Sequence, residues 1–142
     1  MTIRMTKAEV RPIGITALSL FFLFGAGASF VSFISLLFPG SLLEAIWRLN
    51  PRARAGLGGM GVWAVILMGA VCVACALAAV GLWRGARWGY WLPVSLVAVN
   101  LLGDVLNVFL GTEPRAVIGI PIALAILAFL MSRRARRFFL GK

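Results

Sequence analysis

An all-α membrane protein, a bundle of four transmembrane helices, is predicted by three observations. The chain is 62% hydrophobic and only 13% charged, with a mean hydropathy of +1.02. A soluble domain of 142 residues lacks the polar surface to cover so much apolar material. Its apolar residues also come in long uncharged runs instead of alternating with polar ones, which is the pattern of membrane helices. Finally, the basic residues cluster at the ends of those runs. The net charge of +10 therefore reads as membrane topology, and nucleic acid is not expected as a partner. One domain covers residues 1–142, with spans at about 13–38, 62–83, 90–110 and 115–131 and a basic tail at 132–142.

The first span follows a basic opening with Arg4, Lys7 and Arg11. That opening, an apolar run and Ala26-Gly27-Ala28 together resemble a cleavable signal. The apolar run continues well past Ala28, however, so a retained span is expected. Gly25, Ala28, Ser29 and Ser32 give it a small-residue face suited to close helix packing. Pro39-Gly40 ends it. Ser41 followed by Glu44 fits a capping box opening a short interfacial helix, Leu42 to Leu49, with Glu44 and Arg48 together on its polar side. Asn50 is a good N-cap and Pro51 is favoured at the first helical position. Gly56, Gly58, Gly59 and Gly61 then predict a weak start and a bend before the second span.

The second span is rich in Ala, Gly and Cys, which places it centrally in the bundle. A tight connection follows, in which Trp83, Trp88 and Trp91 form an aromatic belt beside Arg84 and Arg87. The third span starts near Tyr90, putting Pro93 in its first turn, where proline costs little. After the turn Gly111-Thr112-Glu113-Pro114, the fourth span is short, about 16 apolar residues by its sequence. It reaches across if Arg115 and Arg133 extend toward the interfaces. The tail carries Arg133, Arg134, Arg136, Arg137 and Lys142. With four spans, one side of the membrane holds ten Lys/Arg and the other four. The positive-inside rule puts both termini in the cytoplasm. The belt and the tail are the candidate contacts for anionic lipids or for a partner subunit.

The candidate chemistry is sparse. Histidine is absent, which removes the usual haem ligand and the commonest general base; no metal and no cofactor are expected. Apolar grooves can still hold lipid, quinone or pigment without any motif. In the third span Asn100, Asp104 and Asn107 recur at steps of four and three, one polar stripe on a helix. An Asp near a helix centre costs roughly 2.5–3.5 kcal/mol, against at most ~4–7 kcal/mol returned by the span's Leu, Ile, Phe and Val. The span inserts, but one interhelical hydrogen bond of ~0.6 kcal/mol does not offset the carboxyl. Asp104 is thus expected to meet several partners, a water pocket or a subunit interface. Cys72 and Cys75 form C-x-x-C in mid-span, without the further exposed cysteines a thiol relay needs; packing is the expected role.

Several stretches carry a resemblance. These are Arg11-Pro12-Ile13-Gly14-Ile15-Thr16, Leu49-Asn50-Pro51, Gly81-Leu82-Trp83-Arg84-Gly85-Ala86-Arg87-Trp88-Gly89, Asn100-Leu101-Leu102-Gly103-Asp104 and Ile118-Gly119-Ile120-Pro121. Together they touch all four spans, and the chain resembles a loose group of small, uncharacterised bacterial four-span membrane proteins with no known activity. The resemblance implies an architecture and a bacterial source and transfers no chemistry. From the residues themselves the expected function is a non-catalytic accessory or structural subunit of a larger membrane assembly. The alternative is a small oligomeric transporter, or a proton or cation pathway, built around Asp104.

Overall fold

The computed structural model describes residues 10–141. The basic opening with Arg4 and Lys7, and the terminal Lys142, lie outside the described residues. The described chain is helical without strands: α1 (Ile13–Leu37), a 3-10 helix η1 (Leu42–Arg48), α2 (Pro51–Met60), α3 (Val62–Arg84), α4 (Trp88–Leu110), α5 (Ala116–Met131) and α6 (Arg133–Leu140). α1, α3 and α4 have 25, 23 and 23 residues and are apolar enough to cross a membrane. At a 1.5 Å rise they are about 34–37 Å long, enough for a hydrocarbon layer of about 30 Å. α5 has 16 residues, about 24 Å by the same rise. It makes a fourth span only together with α6, from which it is bent by 57°.

Successive long helices pack side by side. α1 lies chiefly on α3, α3 on α4, and α4 on α5. Small residues outside the expected Gly25, Ala28, Ser29 and Ser32 face make the hydrogen bonds of the first of these contacts. Ser19 donates its hydroxyl to the Ala79 carbonyl at 2.8 Å, and the Cys72 thiol donates to the Ala26 carbonyl at 3.4 Å. Both bonds satisfy polar groups that lipid could not. α1 and α5 meet at one end, where Phe129 lies against Gly14.

Helix ends follow local chemistry, with two departures from the sequence pattern. Asn50 caps α2 as expected, accepting from the Ala53 N–H at 3.1 Å, with Pro51 at the first helical position. The glycine-rich stretch stays helical to Met60 and breaks at Gly61 (φ 58°, ψ −129°), which a side chain would strain. α3 and α4 both end on left-handed glycines, Gly85 and Gly111. The first departure is the box at Ser41. Its hydroxyl makes no capping bond and is buried without a partner, and the segment is 3-10 over Leu42–Arg48. Glu44 reaches back one residue further, to the Gly40 N–H at 2.8 Å. It pairs with Arg54 of α2 at 3.1 Å instead of Arg48. The second departure is Pro93. Because α4 begins at Trp88, this proline falls in the second turn and is buried. Its ring excludes the bond that would have gone to the Gly89 carbonyl.

The Glu44 arrangement has a pH signature. The Gly40 N–H first, and then Arg54, hold its carboxyl below the usual carboxylate range. A depressed folded-state pKa gives a contribution that is complete above the unfolded value, near 4.3, and lost as the pH falls through the folded one. The Gly40 amide, followed by NMR in micelles, should keep its bonded shift down to a midpoint below that of a free glutamate. Glu44→Gln should remove the transition. A midpoint at or above the free value would contradict the assignment.

Buried apolar residues gather toward one end. Ile15, Leu18 and Phe22 of α1, Ala78, Ala79 and Leu82 of α3, Tyr90 and Val97 of α4, and Ala123 and Leu130 of α5 form one cluster with Phe138 and Phe139 of α6. The tail, expected as a basic lipid or partner contact without a helix of its own, is thus a capped helix that contributes to the core. Ser132 accepts from the Ala135 N–H at 3.3 Å. Ala135, Phe138 and Phe139 are buried on one side, while the four arginines are exposed on the other. Eight residues are too few for a self-standing helix in water, and Arg pairs at spacings of three and four each cost about 0.2–0.5 kcal/mol. Burial of the phenylalanines holds it.

Candidate functional site

Two regions bear on function, the polar stripe of α4 and the basic end. The stripe divides. Asn100 donates its amide to Asp104 Oδ2 at 3.1 Å, a bond between successive turns of α4. Asn107 turns the other way. Its side-chain oxygen accepts from the Thr112 hydroxyl at 2.9 Å, and its carbonyl accepts the Thr112 N–H at 3.1 Å. Asn107 therefore finishes the C-terminus of α4, where orphan carbonyls need donors. The expected three-residue site becomes a pair, Asn100 and Asp104.

That pair lies on the thinly packed half of α4. The buried residues of α4 are Gly89, Tyr90, Pro93 and Val97, with none beyond. Asn100 is exposed and Asp104 half-buried. Asp104 lies over Gly119 of α5, whose lack of a side chain leaves room for the carboxyl. A Cβ added at Gly119 would overlap Oδ2 and stand 3.0 Å from Cγ. Among the described residues no arginine pairs with Asp104. Asn100 and Gly119 belong to the wall of a cleft of about 490 Å³ into which α1, α3, α4 and α5 all project side chains, among them Phe22, Ser29 and Cys75. Its walls are mainly apolar, which matches a lipid-filled or lipophilic-ligand space.

Cys75 lines this cleft, with its sulfur 3.7 Å from where a Cβ of Gly25 would stand. Cys72 is engaged by Ala26. Both thiols face α1 and are free, in keeping with packing. Among the described residues no group of three or more His, Cys, Asp or Glu comes together.

At the basic end the belt and the tail meet. Trp83, Trp88 and Trp91 are about half-exposed, and Arg84 and Arg87 are exposed. Arg11 completes this group, a role its place in the opening charges did not suggest. Its guanidinium donates to the Trp83 carbonyl and lies 4.3 Å from the centre of the Trp83 ring, a cation–π geometry. Tyr90 and Phe139 pack with tilted rings, centroids 5.8 Å apart. Arg133, Arg134 and Arg137 line a cleft of about 420 Å³ with Val10, Pro12 and Phe138, while Arg136 does not. At the other end Arg115 donates to the Leu49 carbonyl at 3.0 Å, tying α5 to the η1–α2 corner. No protein-family model, curated protein or solved structure matches the chain.

Proposed function

We propose that the chain is a non-catalytic subunit of a larger membrane assembly: a four-span bundle in a bacterial inner membrane with both termini cytoplasmic. The observation that carries this reading is the Asn100–Asp104 pair on a thinly packed flank. An unpaired carboxyl there costs roughly 2.5–3.5 kcal/mol against lipid. Its bond to Asn100, within one helix, offsets little of that. A neighbouring chain that covers the flank and donates to Asp104 removes the cost. Val108, one turn beyond Asp104 on the same side of α4 and exposed, supplies apolar area for such a contact. The ten Lys/Arg on one side against four on the other support the orientation.

Gentle detergent extraction followed by native mass determination tests this. A fixed set of other chains is the expected result, and a lone stable monomer would overturn it. Asp104→Leu sharpens the test because the reading predicts opposite signs. Retention of the partner should fall at least tenfold, while the isolated chain inserts more readily. If the partner is held unchanged by Asp104→Leu, the flank is not the interface.

A second reading has one observation in its favour: Asp104 stands beside a cleft bordered by all four long helices. A homo-oligomer whose ion or proton flux is lost in Asp104→Asn, with assembly intact, would bring the pathway reading forward.

A further inference from the structure

The cleft between residues 10–12 and α6 has a composition unlike the rest of the surface. Arg133, Arg134 and Arg137 rim it, and Val10, Pro12 and Phe138 supply an apolar floor. The arginines do not hang on a loose tail. Ser132 caps their helix, and Ala135, Phe138 and Phe139 are buried, so the three guanidinium stems spring from a packed scaffold. Arg11, the nearest other cation in sequence, is engaged by Trp83. The described carboxylates are occupied elsewhere: Glu44 with Gly40 and Arg54, Asp104 with Asn100, and Glu113 with the Arg115 N–H at the start of α5. Among the described residues, the cleft's positive charge therefore lacks a protein counter-ion.

Planar guanidiniums grouped in this way match the oxygens of a phosphate, which they bind with paired, charge-assisted hydrogen bonds. The volume, about 420 Å³, falls in the range of small-molecule sites. It leaves room beyond a bare anion for an apolar group against Val10, Pro12 and Phe138. We propose that the cleft formed by Val10, Pro12 and α6 is a binding site for a phosphate group, held by Arg133, Arg134 and Arg137. A lipid headgroup and a free phosphate share this chemistry. The inference rests on membrane insertion and not on the subunit reading, since the isolated chain contains the whole site.

The test uses the purified full chain in zwitterionic detergent, titrated with short-chain phosphatidylglycerol and separately with inorganic phosphate, and followed by native mass spectrometry. One saturable site is expected. Arg134→Gln and Arg137→Gln should each weaken it about tenfold, the scale of one lost charge-assisted bond. The triple variant with Arg133→Gln should weaken it at least 100-fold. Arg136→Gln, on the same helix but outside the cleft, should change it less than twofold. All these side chains are exposed, and unchanged helicity by circular dichroism verifies folding. Phosphatidylglycerol bound at least tenfold more tightly than phosphate identifies a lipid headgroup as the ligand; comparable affinities identify the free anion. Absence of saturable binding by either probe overturns the site. So does an Arg136→Gln loss as large as that of Arg137→Gln, which would mark diffuse charge attraction. A chain that purifies without partners and still binds separates this result from failure of the subunit reading.

Discussion

Gly89→Val should lower the thermal midpoint of the detergent-solubilised chain more than any single change in an exposed helix face. α3 and α4 touch backbone to backbone at Gly81 and Gly89. A Cβ on Gly81 would stand 2.6 Å from Gly89 Cα and 2.7 Å from the Trp88 ring, and a Cβ on Gly89 would overlap the Gly81 carbonyl group. The obstacle to Gly89→Val is main chain, which cannot rotate aside as a side chain can. The helices must separate, and Tyr90, Pro93 and Leu82, all buried nearby, lose contacts with them. Overpacking of this kind costs typically 1–3 kcal/mol, and about 3 kcal/mol or more is expected where backbone is the obstacle. Gly27→Ala is the control. A Cβ there meets nothing within 4 Å, so only helix propensity acts, and stability should hold or rise by up to about 1 kcal/mol. A midpoint for Gly89→Val within about 2 °C of the unchanged chain, less than the ~2–4 °C that 1 kcal/mol produces even in larger domains, would refute the contact.

That contact also explains which parts of the fold were legible in the sequence. The long spans were, because insertion depends on composition summed over twenty residues: α1 and α3 end within a residue of the expected bounds. α4 starts two residues before the expected bound because Gly89 is a helical residue whose lack of a side chain admits the Gly81 backbone. The stripe was half legible. Period alone puts Asn100, Asp104 and Asn107 on one face, but it does not say that Thr112, just past the helix, claims Asn107. The capping box failed for a similar reason: Arg54, ten residues on, draws Glu44 toward α2. α6 had a readable signal in Ser132 followed by apolar Ala135, Phe138 and Phe139 at steps of three and one. The density of arginines masked it. Both clefts were out of reach, since they belong to gaps between helices and not to any one segment.

The uneven packing has a functional consequence. A cluster that gathers α1, α3, α4, α5 and α6 makes the basic end the more tightly packed one, whereas α4 past Val97 has no fully buried residue. Rearrangement on meeting a partner is cheapest where few contacts must break. The Asn100–Asp104 half of α4 is therefore the part free to adapt, and the arginine cleft the part already fixed.

Phe139→Ala is the change expected to release α6 from that tightly packed end. Phe139 is 0% exposed and is the largest fully buried side chain. It packs edge-on to Phe138 at 5.0 Å and tilted against Tyr90 at 5.8 Å. Truncating a buried phenylalanine costs about 3–5 kcal/mol. For a helix this short, with like charges at spacings of three and four, little else opposes undocking. The loss should be local, because α1, α3 and α4 hold one another through the Ser19–Ala79 bond and the Gly81–Gly89 contact. Trypsin gives a direct readout, since Arg133, Arg134, Arg136 and Arg137 are its targets and a docked helix resists it. When opening is fast relative to cleavage, the rate follows the open population, so about 3 kcal/mol corresponds to roughly 150-fold faster cutting. Ser132→Ala, which removes the cap at a cost of about 1 kcal/mol, should accelerate cutting only about fivefold. Cleavage in Phe139→Ala no faster than in the parent chain would mean that α6 is held by something other than its aromatic face. Phosphate binding should weaken together with docking, because the packed α6 places Phe138 and the three arginines at the cleft; fast cleavage with unchanged phosphate binding would show that the site does not depend on that docking.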